Sequence, residues 1–283
     1  MFLLFVALAY GTLAVMIMSQ RPWSARYIIP VQNKCAQKDR LTMSDAVGDE
    51  DNLNSIINLF DSICLSYGDQ DAILIHRENE EEQVFCYLEL QELSLILACQ
   101  LHYRHRPDYV LVDCFGHVIA ETVTILACLR LGVPFVPVSV LEQHSGEGRL
   151  TAVVRELQLA TKDAHVIAIC CCENDQDPVL GVFYNANIHC VAYLDASGNI
   201  QESLGVPQNL PQTVVDQAAN VDDMYVLFTS GTSTGTPKAV IGSQSSTFQR
   251  LQWFLNTFES SPRVARRTRL TFVGTSLLPS QLL

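Results

Sequence analysis

The stretch "FTSGTSTGTPKAV", residues 228–240, gathers hydroxyl side chains, two glycines and one lysine close together. A loop of this kind can turn several backbone N–H groups toward one point, which makes a nest for an anion. Gly231 and Gly235 permit positive φ and close backbone approach, while Thr229, Ser230, Thr232, Ser233 and Thr234 add hydroxyl donors. Lys238 supplies a compact positive charge that can follow a phosphate, and Pro237 stiffens the exit. A flexible Ser/Thr/Gly linker has a similar composition but lies in polar surroundings, whereas the flanks here are "YVLF" and "AVIG". The stretch therefore predicts phosphate binding. A nucleoside-triphosphatase P-loop needs four residues between its glycines and then Lys followed by Ser or Thr. Here three residues separate Gly231 from Gly235, and Thr236 and Pro237 follow, so that motif does not fit.

The elements around the loop read as one alternating system from Asn52 onward. "NLNSIINLFDSICLSYG" places Ile56, Ile57, Leu59, Phe60 and Ile63 on one helical stripe. "AILIHRE" reads as a strand, the acidic run "ENEEEQ" at 78–83 as a solvated hairpin tip, and "VFCYLELQELSLILACQLHYR" as a strand leading into a helix. "YVLVDCF" is a buried strand in pattern. A helix over 118–131 is expected to end at Gly132, a suitable C′ glycine, and "VPFVPVSV" is a strand entered through proline. "GRLTAVVRELQLA" then predicts a helix and "AHVIAICCC" an apolar strand. The region 173–222 is less regular, with turn clusters at "ENDQDP" and "DASGN" and short edge strands expected at "NANI" and "HCVAYLD". "MYVLFTSG" resumes as a strand, which puts the hydroxyl-rich loop directly at its C-terminal end. Strands separated by helices imply parallel pairing, so the fold class is α/β with a mostly parallel sheet and flanking helices.

Composition narrows the function. The chain has 283 residues, 48% of them hydrophobic, enough for a substantial core. Its formal net charge of -12, with no basic stripe, argues against binding a phosphate backbone, so no nucleic-acid partner is expected. The ten cysteines are scattered and several lie inside apolar runs, which reads as buried free thiols in a reducing compartment. No paired C-x-x-C spacing is present and the Cys170–Cys172 run alternates across a strand, so no metal site is expected. His117, His189 and Asp113 have no positioned partner in the sequence and read as packing, surface, cap or turn residues. Residues 1–20, "MFLLFVALAYGTLAVMIMSQ", carry no charge and have the length of a bilayer span. They read either as a transmembrane anchor or as a mis-assigned start, with Met43 opening a second beginning. Arg21 and Arg26 follow the run, so an inserted segment would leave the remainder in the cytoplasm, and a membrane partner is expected only through 1–20. Residues 21–51 read as a linker and 52–283 as the α/β unit.

"YVLFTSGTSTGTPKAV" resembles the phosphate-binding signature of the acyl-adenylate-forming superfamily, Thr-Ser-Gly-Ser/Thr-Thr-Gly-x-Pro-Lys-Gly, which includes acyl-CoA synthetases and the adenylation domains of nonribosomal peptide synthetases. It departs from the pattern by one extra hydroxyl residue between the glycines and by Ala239 in place of the last glycine. "VFCYLELQELSLILACQL" and "CLRLGVPFVPVSV" resemble earlier elements of the same family in the same order. "GSQSSTFQRLQWFLNTF", with Arg250 and Trp253, is similar to the segment after the loop in peptide-synthetase adenylation domains and in the β-alanine-activating enzyme, and "TRLTFVGTSLLPSQLL" to the next strand-helix junction.

The resemblance implies an ATP- and Mg²⁺-dependent reaction in which a small carboxylate attacks the α-phosphate to give an acyl-adenylate and pyrophosphate. A carrier protein or CoA would then accept the acyl group. Lys238 would hold phosphate charge, with Thr229, Ser230, Gly231, Thr232, Thr234 and Gly235 as backbone or hydroxyl donors. The family's adenine segment, magnesium-proximal Thr-Glu pair, ribose-binding Asp and C-terminal catalytic Lys would all come after Leu283, so the resemblance covers the first part of the large domain. Three readings follow: a truncated acyl-adenylate ligase, a non-catalytic remnant that binds nucleotide or acts as a membrane-anchored interaction protein, and an unrelated α/β binding protein. The last would gain weight if the loop lay away from a strand's C-terminal end. The expected location is the cytoplasm, or a membrane anchor facing it.

Overall fold

The computed structural model describes residues 55–75, 83–113, 117–138, 146–171, 178–195, 198–199, 209–218, 220–228 and 238–259. The candidate anchor at 1–20, the linker 21–51 and the acidic run before Gln83 lie outside them. Among the described residues no helix is long and apolar enough to cross a membrane.

Helix α1 (Ile56–Tyr67) begins where Ser55 Oγ accepts from the Asn58 N–H at 3.2 Å, and all five residues of its expected stripe are buried. A two-stranded antiparallel hairpin follows, β1 (Asp71–Ile75) and β2 (Gln83–Cys86). Helix α2 (Tyr87–Gln100) starts with the Cys86 N–H donating to Glu89 Oε2 at 2.7 Å. It runs on as a π-helical turn, Leu101–His105, and stops at Arg106 in the left-handed region.

The main sheet has six strands in the order β6-β5-β3-β4-β7-β8. These are β3 (Tyr109–Asp113), β4 (Phe135–Pro137), β5 (Val166–Cys171), β6 (His189–Leu194), β7 (Asp223–Phe228) and β8 (Ala239–Ser243). The first five pair in parallel, and β8 closes one edge antiparallel to β7. The expected class, α/β with a mostly parallel sheet, is the one observed. Between the strands lie α3 (Val118–Leu131), α4 (Gly146–Ala160), α5 (Pro178–Asn185) and α6 (Gln212–Ala218), and α7 (Gln244–Glu259) follows β8.

Two cores form because the strands are buried on both faces. Val110 and Val112 of β3, with Ile167 and Ile169 of β5, face a cluster built with α1, α2, α3 and Leu251 of α7. Leu111, Ala168 and Cys170 point the other way, onto Leu150, Val153 and Leu157 of α4 and onto Val179 and Phe183 of α5.

Helix α3 has the boundaries that its sequence predicts. Gly132 ends it at φ 63, where an added Cβ would stand 2.8 Å from the Ala218 backbone. Two expectations need correction. "NANI" is no strand, because Asn185 ends α5 and Asn187 turns the chain at φ 57. The region 173–222 is also more regular than its turn clusters suggest, since it contributes α5, β6 and α6.

Candidate functional site

The five parallel strands end on one side of the sheet, so that side collects whatever follows them. The chain runs from β3 to its neighbour β4 and then returns across β3 to β5, so the connections diverge around the centre of the sheet. A crevice outside the strand ends at such a reversal is where open α/β sheets take their ligands. Asp113 ends β3 there and is buried, and His117 precedes α3 with its Nδ1 buried and without a hydrogen-bond partner among the described residues. Sequence reasoning gave neither residue a role. Their placement at the crevice depends on strand order, which no local motif carries.

The hydroxyl-rich loop leaves from the C-terminal end of β7, as its sequence predicts. The condition that would have given weight to an unrelated protein, a loop away from a strand's C-terminal end, is therefore not met. Thr229, Ser230, Gly231, Thr232, Thr234 and Gly235 lie outside the described residues. Lys238 is described: it is exposed and directly precedes β8. Phe228 pairs with Ala239, so the loop is the mouth of a β-hairpin and Lys238 sits on its return arm.

The hairpin is secured at its opposite end. The Gln244 N–H donates to the Asp222 backbone oxygen at 2.6 Å, and Gln244 Nε2 donates to the Val221 oxygen at 2.9 Å. The Asp222 carboxylate accepts from the Ser245 N–H at 2.8 Å and from Ser245 Oγ at 3.0 Å. A carboxylate at this place satisfies open N–H groups of the first turn of α7 and complements the positive end of its dipole. Ser243 contributes too, accepting from the Ser246 N–H at 3.2 Å. Midway along, Tyr225 lies opposite Gly242, and its ring occupies the space that a Cβ on Gly242 would need. The same ring packs on Phe135 of β4 with centroids 5.8 Å apart.

Among the described residues no group of three His, Cys, Asp or Glu side chains is arranged to hold a metal ion. Cys64, Cys99, Cys128 and Cys170 are buried and in no disulfide, Cys171 is half-buried on the opposite face from Cys170, and Cys172 lies outside the described residues.

The sequence profile of the family described as AMP-binding enzyme matches residues 61–274. Among curated proteins none is matched. Among solved structures, fatty acyl-adenylate ligase from L. pneumophila, in complex with acyl adenylate and pyrophosphate, is 16% identical with a TM-score of 0.51. That alignment covers 74% of this chain and 34% of the other. A fatty acid AMP ligase from Legionella pneumophila is 15% identical with a TM-score of 0.52, covering 76% and 35%. The adenylation domain of a keto acid-selecting NRPS module, bound to keto acyl adenylate, is 15% identical with a TM-score of 0.51, covering 72% and 34%. The chain thus spans about a third of the length of the solved structures it matches, and at these identities the likeness is one of fold.

Proposed function

The chain belongs to the AMP-binding enzyme family, and on that premise we propose that it carries the triphosphate-binding part of an ATP-dependent carboxylate-activating ligase. The observation that supports this reading most is the placement of the hydroxyl-rich loop and Lys238 at the C-terminal end of a parallel strand beside the sheet's central crevice. In the proposed reaction a small carboxylate attacks the α-phosphorus of ATP, an acyl-adenylate forms, and pyrophosphate departs. Negative charge grows on the departing pyrophosphate, so fixed donors aimed at its oxygens lower the barrier. Lys238 supplies the charge, and the backbone and hydroxyl groups of Thr229, Ser230, Gly231, Thr232, Thr234 and Gly235 supply the donors. Magnesium enters with the nucleotide.

On this reading residues 52–283 form the first part of an adenylation domain. The segment 242–258 suggests the β-alanine-activating group, and the acyl acceptor is a carrier protein or CoA. The groups that contact adenine, ribose and the carboxylate are assigned to other parts of the enzyme. A second reading, a nucleotide-binding module without ligase activity, is favoured by the extra residue between Gly231 and Gly235, which shifts the register of the donors.

Thermal unfolding of the full chain with and without ATP and Mg²⁺ tests the shared premise. At a ligand concentration about a hundred times Kd the folded state gains about 2.7 kcal/mol, a shift of roughly 5 °C or more in Tm for a chain of this size. Lys238→Ala is expected to abolish most of that shift while leaving the ligand-free Tm unchanged, because Lys238 is exposed. A wild-type chain indifferent to ATP would overturn both readings. A shift without turnover on added carboxylates would select the second.

A further inference from the structure

We propose that Asp222 is a positioning residue for Lys238, acting by fixing the register of the hairpin that presents it; this rests on the nucleotide-binding reading above. A strand's register is normally set by which side chains must be buried, and a slip of one residue turns every side chain to the opposite face. Strand β8 lacks that constraint. Ala239, Val240 and Ile241 are all exposed, and among the described residues β8 pairs only with β7. The ladder pair nearest the loop is Phe228↔Ala239, so ten residues separate the paired ends, where the hairpin connections that dictate register have two. Strand β7 is itself held to the rest of the sheet at Phe135↔Tyr225. Near Asp223 the ladder is irregular, so the hydrogen bonds alone leave the open end of the hairpin weakly defined.

Two devices remain. The Tyr225 ring fits over Gly242, a position that tolerates no side chain. The stronger device is Asp222, whose carboxylate takes two hydrogen bonds from Ser245 while its backbone oxygen takes one from Gln244. Because Ser243 ends β8 and Gln244 begins α7 without an intervening residue, fixing Gln244 and Ser245 fixes β8. Lys238, at the other end of the same short strand, is then held on one side of the loop mouth. A slip of one residue would turn Lys238 to the opposite face of the hairpin.

The test uses the full chain, with ATP and Mg²⁺ titrated by calorimetry and with urea unfolding of each variant alongside. Asp222→Ala is expected to weaken ATP about tenfold, the loss of one charge-assisted phosphate contact. Asp222→Asn keeps an acceptor for the Ser245 N–H and is expected to fall between the two, so it carries the test if Asp222→Ala does not fold. Leu227 and Val240 lie opposite each other, so a disulfide in Leu227→Cys/Val240→Cys pins the register independently. Introduced into the Asp222→Ala chain, it is expected to restore the affinity under oxidising conditions and to lose that effect under reducing ones. A folded Asp222→Ala or Asp222→Asn chain that binds ATP within about twofold of wild type overturns the inference while leaving the nucleotide reading intact. Weakened affinity that the disulfide does not restore also overturns it, because Asp222 would then act through stability alone. A wild-type chain that does not bind ATP overturns the nucleotide reading, and this inference with it.

Discussion

Cys64 illustrates what this interior does to an ionisable group. Its thiol is buried between α1 and α2, donates to the Tyr87 oxygen at 3.5 Å, and is pushed from 9.0 up to about 12, first by burial and next by the nearby Asp61 carboxylate. Burial raises Cys99, Cys128 and the Tyr87 phenol in the same direction. Each of these groups is neutral in the folded chain where the unfolded chain would ionise. Their contribution to stability is therefore intact below about pH 9 and is lost as the pH rises through the shifted values, at about 1.4 kcal/mol per pH unit for each such group. Urea midpoints are expected to hold up to about pH 9 and to fall as the pH rises from there toward about 12, and iodoacetamide is expected to label Cys64, Cys99 and Cys128 slowly until the protein unfolds. Rapid labelling of Cys128 in the native chain would contradict the packing described for α3.

Three helices on one face are tied together by a single guanidinium. Arg130 of α3 donates to both carboxylate oxygens of Asp61 on α1, at 2.7 and 2.9 Å, and its Nε donates to Ser94 Oγ of α2 at 3.1 Å. Gln91 of α2 completes the set by donating to Asp61 Oδ1 at 2.8 Å. The pair brings geometric specificity, since the planar fork fits a carboxylate in one orientation. Its removal is costly because Arg130 is only 9% exposed and would be left unpaired, although Asp61, at 34%, retains access to water. Breaking a fully buried pair costs about 3–5 kcal/mol, so for this half-open one Asp61→Ala is expected to cost about 2 kcal/mol in urea unfolding. Adding Arg130→Met to Asp61→Ala is expected to recover part of that loss. A double variant less stable than Asp61→Ala would show that Arg130 acts chiefly through packing of its stem.

At the scale of the whole molecule, the sheet of the described residues ends in β8, with Val240 and Ile241 exposed and Trp253 exposed on the following helix. An apolar strand with unpaired backbone groups is a template for pairing with other chains. Ile241→Lys is therefore expected to reduce concentration-dependent light scattering with a change in stability of less than about 0.5 kcal/mol, the usual range for an exposed position. Unchanged scattering would place the association surface elsewhere. The edge also bears on the proposed ligase. The chain spans about a third of the matched structures, so an activity assay on this chain asks a different question from a nucleotide-binding assay, and binding comes first.

What the sequence determined by itself are the features whose cause is local. The stripe of α1, the bounds of α3 with Gly132 beyond its end, the apolar strands β3 and β5, and the hydroxyl-rich loop at the end of β7 follow from periodicity, capping and burial, all contained within short windows. The helices α5 and α6 were obscured because their windows are short and lie among turn residues. Only the tertiary structure decided that the return arm of the loop is a strand antiparallel to β7, that Asp113 and His117 both lie at the C-terminal side of the sheet, and that Asp222 reaches Ser245. It also decided that Arg130 finds Asp61, 69 residues away in the chain. Such pairings depend on which segments the sheet order brings together. A polar residue that finds its partner across the fold looks, in the sequence, like any other polar residue.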